Sequence, residues 1–205
     1  MSPPADHRAG CRVVKLGGSL LDLPDLPSRF RCWLQRQPAA PTVLLAGGGK
    51  MVDALRDADR LHGLGETVSH WLCIRAMTIH AELLSALFAE AVPCRSLAQW
   101  RSTPPPALTI LDPWIFLHEE EPRLAGLSLP ASWQVTSDSI AARFAQAVGA
   151  GELALLKSAP PAPGSTLAEA AAAGYVDAFL PRLAGAAPPV RCVDLRAKDF
   201  PQAWL

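Results

Sequence analysis

The chain carries no surplus charge of either sign: Lys plus Arg and Asp plus Glu number 19 each among 205 residues. No long-range field of one sign therefore draws it to nucleic acid or to acidic lipid, and a small-molecule partner is expected. Aromatic residues are scarce at 6%. The cysteines Cys11, Cys32, Cys73, Cys94 and Cys192 are odd in number and scattered, with no C-x-x-C pair and no histidine at metal-ligand spacing. They read as reduced, mostly buried thiols, and no metal site is expected among them. Met1 to Gly10 lacks an apolar run, so no signal or transit peptide is visible there. The longest apolar stretch, Ala81 to Val92, is too short to span a bilayer and contains Glu82 and Glu90. These absences lead us to expect a soluble, cytoplasmic protein without a membrane partner.

What is present is an alternation. Arg12–Leu16, Thr42–Ala46, Ala107–Leu111, Glu152–Leu156 and Val190–Asp194 are short apolar runs, read as strands mostly buried on both faces. Leu26–Gln37, Lys50–Leu61, Glu66–Val92, Asp138–Val148 and Thr166–Ala173 have helical periodicity, with Ile140, Phe144 and Val148 four apart. Thr136 or Ser137 is a ready N-cap for the fourth helix, and Gly174 closes the alanine run that ends the fifth. Strands alternating with helices predict an α/β fold, a mainly parallel sheet covered by helices on both sides. The prolines cluster in loops between apolar segments, no repeat is visible, and residues 1–205 are read as one domain.

Two glycine turns each follow a predicted buried strand: Lys15-Leu16-Gly17-Gly18-Ser19 and Gly47-Gly48-Gly49-Lys50. Both fall at the carboxyl edge of a parallel sheet, where such folds bind ligands. Glycine lets backbone N–H groups approach an anion, and a helix starting near Lys50 points its positive end the same way. One such turn alone is as readily a tight strand-to-helix connection; two of them beside Lys15 point to phosphate-sized anions. The second is not a Walker A loop, since Leu44 stands where glycine is required and Met51 where Ser or Thr must hold magnesium. A dinucleotide fingerprint fails as well, because Val52 occupies the place of its third glycine.

The pair Val13-Val14-Lys15-Leu16-Gly17-Gly18-Ser19 and Leu44-Leu45-Ala46-Gly47-Gly48-Gly49, followed by Trp133 through Ala141 with Asp138 opening a helix, resembles the amino-acid-kinase superfamily. Within it the chain is most similar to the short aminomethylfuran-methyl phosphate kinases of methanofuran-type cofactor synthesis. That similarity is carried by Gly47 to Asp53, by Ser69-His70-Trp71 with Arg75-Ala76-Met77, by Trp133 to Ser139, and by Tyr175 to Phe179. The resemblance implies a three-layer αβα sandwich, with the acceptor on the N-terminal half and ATP with Mg²⁺ on the C-terminal half. It also implies a homodimer or higher homo-oligomer, paired through the long Glu66 helix.

On this resemblance Lys15 holds the transferring phosphoryl and Asp138 orients Lys15 through a charge-assisted hydrogen bond. The N–H groups of Gly17, Gly18 and Gly48 line the anion's path with Ser19 beside them, while Gly47 and Gly49 shape the acceptor loop. Asp138 also has a plainer reading, as a carboxylate favoured by a helix N-terminus. Lys157 either steadies the ATP phosphates or snorkels from its strand end. His70 and Arg75 are candidate contacts to a substrate anion, whereas Trp71 reads as packing. His118 with Glu119-Glu120-Glu121 reads as a solvated loop. Ser158-Ala159-Pro160-Pro161 stands where many members of the superfamily carry an acidic D-V-D-G loop that helps seat the nucleotide.

Overall fold

The computed structural model describes residues 10–102 and 104–205; the leading segment read above as free of targeting patterns lies outside them, apart from Gly10. Seven strands form one sheet: β1 Arg12–Leu16, β2 Thr42–Ala46, β3 Val92–Cys94, β4 Leu108–Leu111, β5 Glu152–Lys157, β6 Val190–Asp194 and β7 Gln202–Trp204. Their spatial order is β3-β4-β2-β1-β5-β6-β7. Every pairing is parallel except that of β7, which runs antiparallel to β6. The helices are α1 Leu26–Gln35, α2 Gly49–His62, α3 Glu66–Leu87, α4 Leu97–Ser102, α5 Ser137–Val148 and α6 Leu167–Ala172.

Strands β1 and β2 are buried along their whole length, including the charged Arg12 and Lys15 of β1, each of which has an ion-pair partner. Alternation along β1 feeds two cores. Val13 packs with Ile74, Met77, Ile140 and Phe144 on one face, whereas Val14 and Leu16 join Phe30, Trp33 and Leu84 on the other. Each fully buried side chain of this size contributes roughly 1.5–3 kcal/mol relative to exposure. Helices thus cover both faces, giving the expected αβα sandwich. Lys15, two residues beyond Val13, shares its face and is directed toward α5.

From β1 the chain builds one side of the sheet with β2, then edge strand β3, then β4 between them, and returns to build β5, β6 and β7 on the other side. The reversal leaves a crevice beyond the carboxyl ends of β1 and β5, the place where open α/β sheets bind ligands. Lys15 and Lys157 stand at those two ends.

Several expectations are corrected. The long third helix stops at Leu87, where Phe88 leaves helical geometry at φ −121° and ψ 76°, and Val92–Cys94 becomes edge strand β3. An edge position tolerates Pro93, whose missing N–H costs no ladder bond there. Helix α4 and strand β7 were not foreseen. The expected Thr136 or Ser137 side-chain cap on α5 is absent; Asp177, far along the chain, supplies the acceptor in its place. The Glu119–Glu121 stretch is not a solvated loop. Glu120 accepts from the N–H groups of Leu97 and Ala98 and so caps α4, while Glu121 is buried against Arg143 at 2.9 Å.

Candidate active site

A cleft of about 350 Å³ opens at the crevice between β1 and β5. Its floor is a three-charge cluster. Lys15 Nζ lies 2.9 Å from Asp138 Oδ1, and Lys157 Nζ lies 2.8 Å from Asp138 Oδ2. The Lys157 contact is a hydrogen bond, and the Lys15 contact is an ion pair. Lys157 also donates to the Tyr175 carbonyl at 2.8 Å. Lys15 and Asp138 are both at most 5% exposed. Burial opposes ionisation of Asp138, but the two ammonium groups outweigh it and hold the carboxyl down to about 2. Burial also pushes the Lys15 ammonium below its ordinary value, with Lys157 adding to the effect and Asp138 opposing it. Two ammonium groups share the Asp138 carboxylate, and the neighbouring Asp177 carboxyl acts on both Lys15 and Asp138.

Asp138 is aimed by its helix. Asp177 Oδ2 accepts from the backbone N–H of Thr136 and of Ser139, each at 2.9 Å, and from the Thr136 hydroxyl. Its other oxygen accepts from the Ser139 hydroxyl and from the N–H groups of Phe179 and Leu180. One buried carboxylate thereby satisfies the first turn of α5 and ties it to the 177–180 turn.

The two glycine loops meet above this floor. A Cβ on Gly18 would stand 2.1 Å from the Gly49 nitrogen, so glycine is required for the loops to touch. Gly49 itself has φ +51°, a left-handed geometry that also favours glycine. Gly18, Ser19, Gly48 and Gly49 border the cleft. The Gly17 N–H does not: it donates to the Leu156 carbonyl at 2.8 Å and is spent on the sheet. Gly47 is likewise structural, its N–H donating to Leu16 and its carbonyl accepting from His80 Nδ1 at 2.8 Å. Ser19 donates to Ser158 Oγ at 3.2 Å, and Tyr175 donates to the Ala159 carbonyl, so both tie into the 158–161 loop.

His70 lines the cleft with Nδ1 3.3 Å from the Ser132 carbonyl, and burial pushes its pKa down. Arg75 does not join it. Five positions on along α3 places a side chain about 140° around the helix axis. Arg75 is exposed there, with its guanidinium 3.4 Å from the ring centroid of Trp114. Residues that sequence reasoning missed are Arg56, His80, Trp133 and Asp177. Gly49, Val52, Asp53 and Arg56 all border the cleft, and their three- and four-residue spacing on α2 is the signal that would have found Arg56.

Among the described residues no group of three or more His, Cys, Asp or Glu side chains is placed to hold a metal ion, and no helix is long and apolar enough to cross a membrane.

The fold resembles solved kinases of low sequence identity. Uridylate kinase from Archaeoglobus fulgidus superposes with TM-score 0.62 at 17% identity, over 88% of this chain and 89% of that one. UMP kinase from Ureaplasma parvum gives 0.67 at 12%, over 94% and 92%. Aspartate kinase from Synechocystis gives 0.59 at 15%, over 88% of this chain but 37% of that one. No match is found among curated proteins. Residues 10–160 match the amino acid kinase family, and that span carries both glycine loops, Lys15, Asp138 and Lys157; the chain belongs to this family.

Proposed function

We propose that the protein is an ATP-dependent kinase that transfers the γ-phosphoryl group to a small anionic acceptor, most specifically a furan-methyl phosphate of methanofuran-type cofactor synthesis. The observation that carries this reading is the convergence of Lys15, Lys157 and two glycine loops on one cleft. Two ammonium groups and the backbone amides of the glycine loops suit a group whose three oxygens carry negative charge as it moves.

ATP with Mg²⁺ fits the residues present. The amides of Gly18, Gly48 and Gly49 and the Lys15 and Lys157 ammonium groups suit the phosphates. Asp138 is occupied by its lysines and Asp177 by its six donors, so these carboxylates are not free for magnesium, which suits an ion carried mainly by nucleotide phosphates and water. In the transfer, an acceptor oxygen forms a bond to phosphorus while the bond to the departing ADP oxygen breaks. An acceptor that is itself a phosphate presents an ionised oxygen, so no general base is required. Lys15 and Lys157 offset the charge in flight, and Asp138 holds both in place.

Coupled ADP-release assays across acceptors test this reading. Turnover with a furan-methyl phosphate above that with UMP, acetylglutamate or isopentenyl phosphate supports it; preference for one of the others replaces the acceptor, not the chemistry. A second reading has its own observation, the Ser158-Ala159-Pro160-Pro161 loop in place of an acidic glycine loop. It makes the protein a non-catalytic anion binder, supported by calorimetric ATP binding with no ADP formed. Pairing of two copies along α3, which exposes Val68, Leu72, Ile79 and Leu83, belongs to the same proposal. A monomer mass by light scattering would reject that part.

A further inference from the structure

Trp133 is half-buried yet packs into neither hydrophobic core; it borders the cleft. Its polar edge is fixed, since Nε1 donates to Asp59 Oδ2 at 3.1 Å. The same carboxylate accepts from the Gly65 N–H at 2.9 Å, and the Asp59 carbonyl accepts from Gly63 at the end of α2. The indole is therefore pinned to the junction of α2 and α3. The Arg56 guanidinium lies 5.6 Å from its ring centroid and is itself held by Asp53 at 2.8 Å. The cleft that the indole borders is also lined by the apolar side chains of Val52, Ile74, Met77 and Val135 and by the Lys15 and Lys157 ammonium groups.

A pinned aromatic ring that contributes to no core, in a cleft that also presents apolar side chains and two ammonium groups, suits a ligand with a flat apolar ring and an anionic group. We infer that Trp133 is a specificity-determining residue, a stacking platform that selects acceptors carrying a planar unsaturated ring, with Asp59 as the residue that positions it. The inference rests on the acceptor lying in this half of the cleft, as in the proposed kinase reading. Its recognition step is separable from turnover. Stacking on an aromatic side chain adds selectivity for flat rings over saturated rings of equal size, because a planar ring lies flush on the indole and gains π-stacking that a puckered one lacks.

The test is equilibrium binding, by calorimetry, of benzyl phosphate and cyclohexylmethyl phosphate, followed by ADP release with each. The wild type is expected to bind benzyl phosphate at least fivefold more tightly. Trp133→Phe keeps that preference, Trp133→Leu reduces it to within about twofold, and Asp59→Ala, which leaves the indole intact but unpinned, lowers it partway. Wild-type protein that binds the two equally or not at all, or a preference unchanged in both Trp133→Leu and Asp59→Ala, overturns the inference. Should Trp133→Leu fail to fold, Asp59→Ala and Trp133→Phe still decide. A Trp133-dependent preference without ADP formation from any acceptor supports the platform and defeats the kinase reading, so the two failures are distinguishable.

Discussion

Lys157 Nζ and Asp138 Oδ2 lie 2.8 Å apart, on the opposite oxygen from the one that faces Lys15. One carboxylate thus bridges the ends of two adjacent strands, and its ionisation is coupled to both folding and charge placement in the cleft.

The acid stability of the protein should report this bridge. Asp138 has a folded value of about 2 against an ordinary 3.8. The unfolded carboxylate takes up its proton first as pH falls, so the stabilisation is fully present above the ordinary value and is lost on the way down to the folded one. A shift of this size corresponds to about 2 kcal/mol. In urea unfolding from about pH 5 to about pH 2, the stability gap between wild type and Asp138→Asn is expected to narrow by that order. A gap independent of pH contradicts the bridge.

The basic limb of activity tests Lys15. Burial and Lys157 place its folded value below the ordinary 10.5, so the fraction charged falls as pH rises through that lowered value. If its charge is used in turnover, kcat/KM declines at a pH below 10.5. Lys15→Arg, which stays charged, should move that decline upward even where it lowers the maximum. A decline at the same pH in both proteins would assign it to another group.

Asp177 is expected to matter for both stability and turnover without touching the acceptor. Asp177→Ala removes the acceptor for the N–H groups of Thr136, Ser139, Phe179 and Leu180. Loss of a single cap costs about 0.5–2 kcal/mol, and buried donors left unpaired add to it. Chemical denaturation should show a loss at or above the upper end of that range. Because α5 then frays where Asp138 sits, kcat should fall more than KM rises. A variant as stable as wild type contradicts the role.

Much of this was legible in the sequence where local pattern is dense. Strands β1, β2 and β6 begin and end where expected, because burial on both faces concentrates apolar residues in short segments between turn-forming ones. Strand β3 was hidden because three residues containing a proline, directly after an apolar helix, carry no period of their own. Exposed edge strand β7 offers no apolar run at all. In the site, Lys15 and the glycine loops could be read because they sit at strand ends. Arg75 is close to His70 in sequence but lies on another face of α3, against Trp114. The contacts of Asp177 to Thr136 and Ser139, 41 and 38 residues away, are long-range pairings that no local spacing encodes.

The most direct measurement is ADP release by Lys15→Ala, with circular dichroism and ATP calorimetry on the same samples. The account predicts folded protein whose kcat is at least about a hundredfold below wild type, as for loss of a charge that stabilises the moving phosphoryl group. Turnover equal to wild type would contradict it.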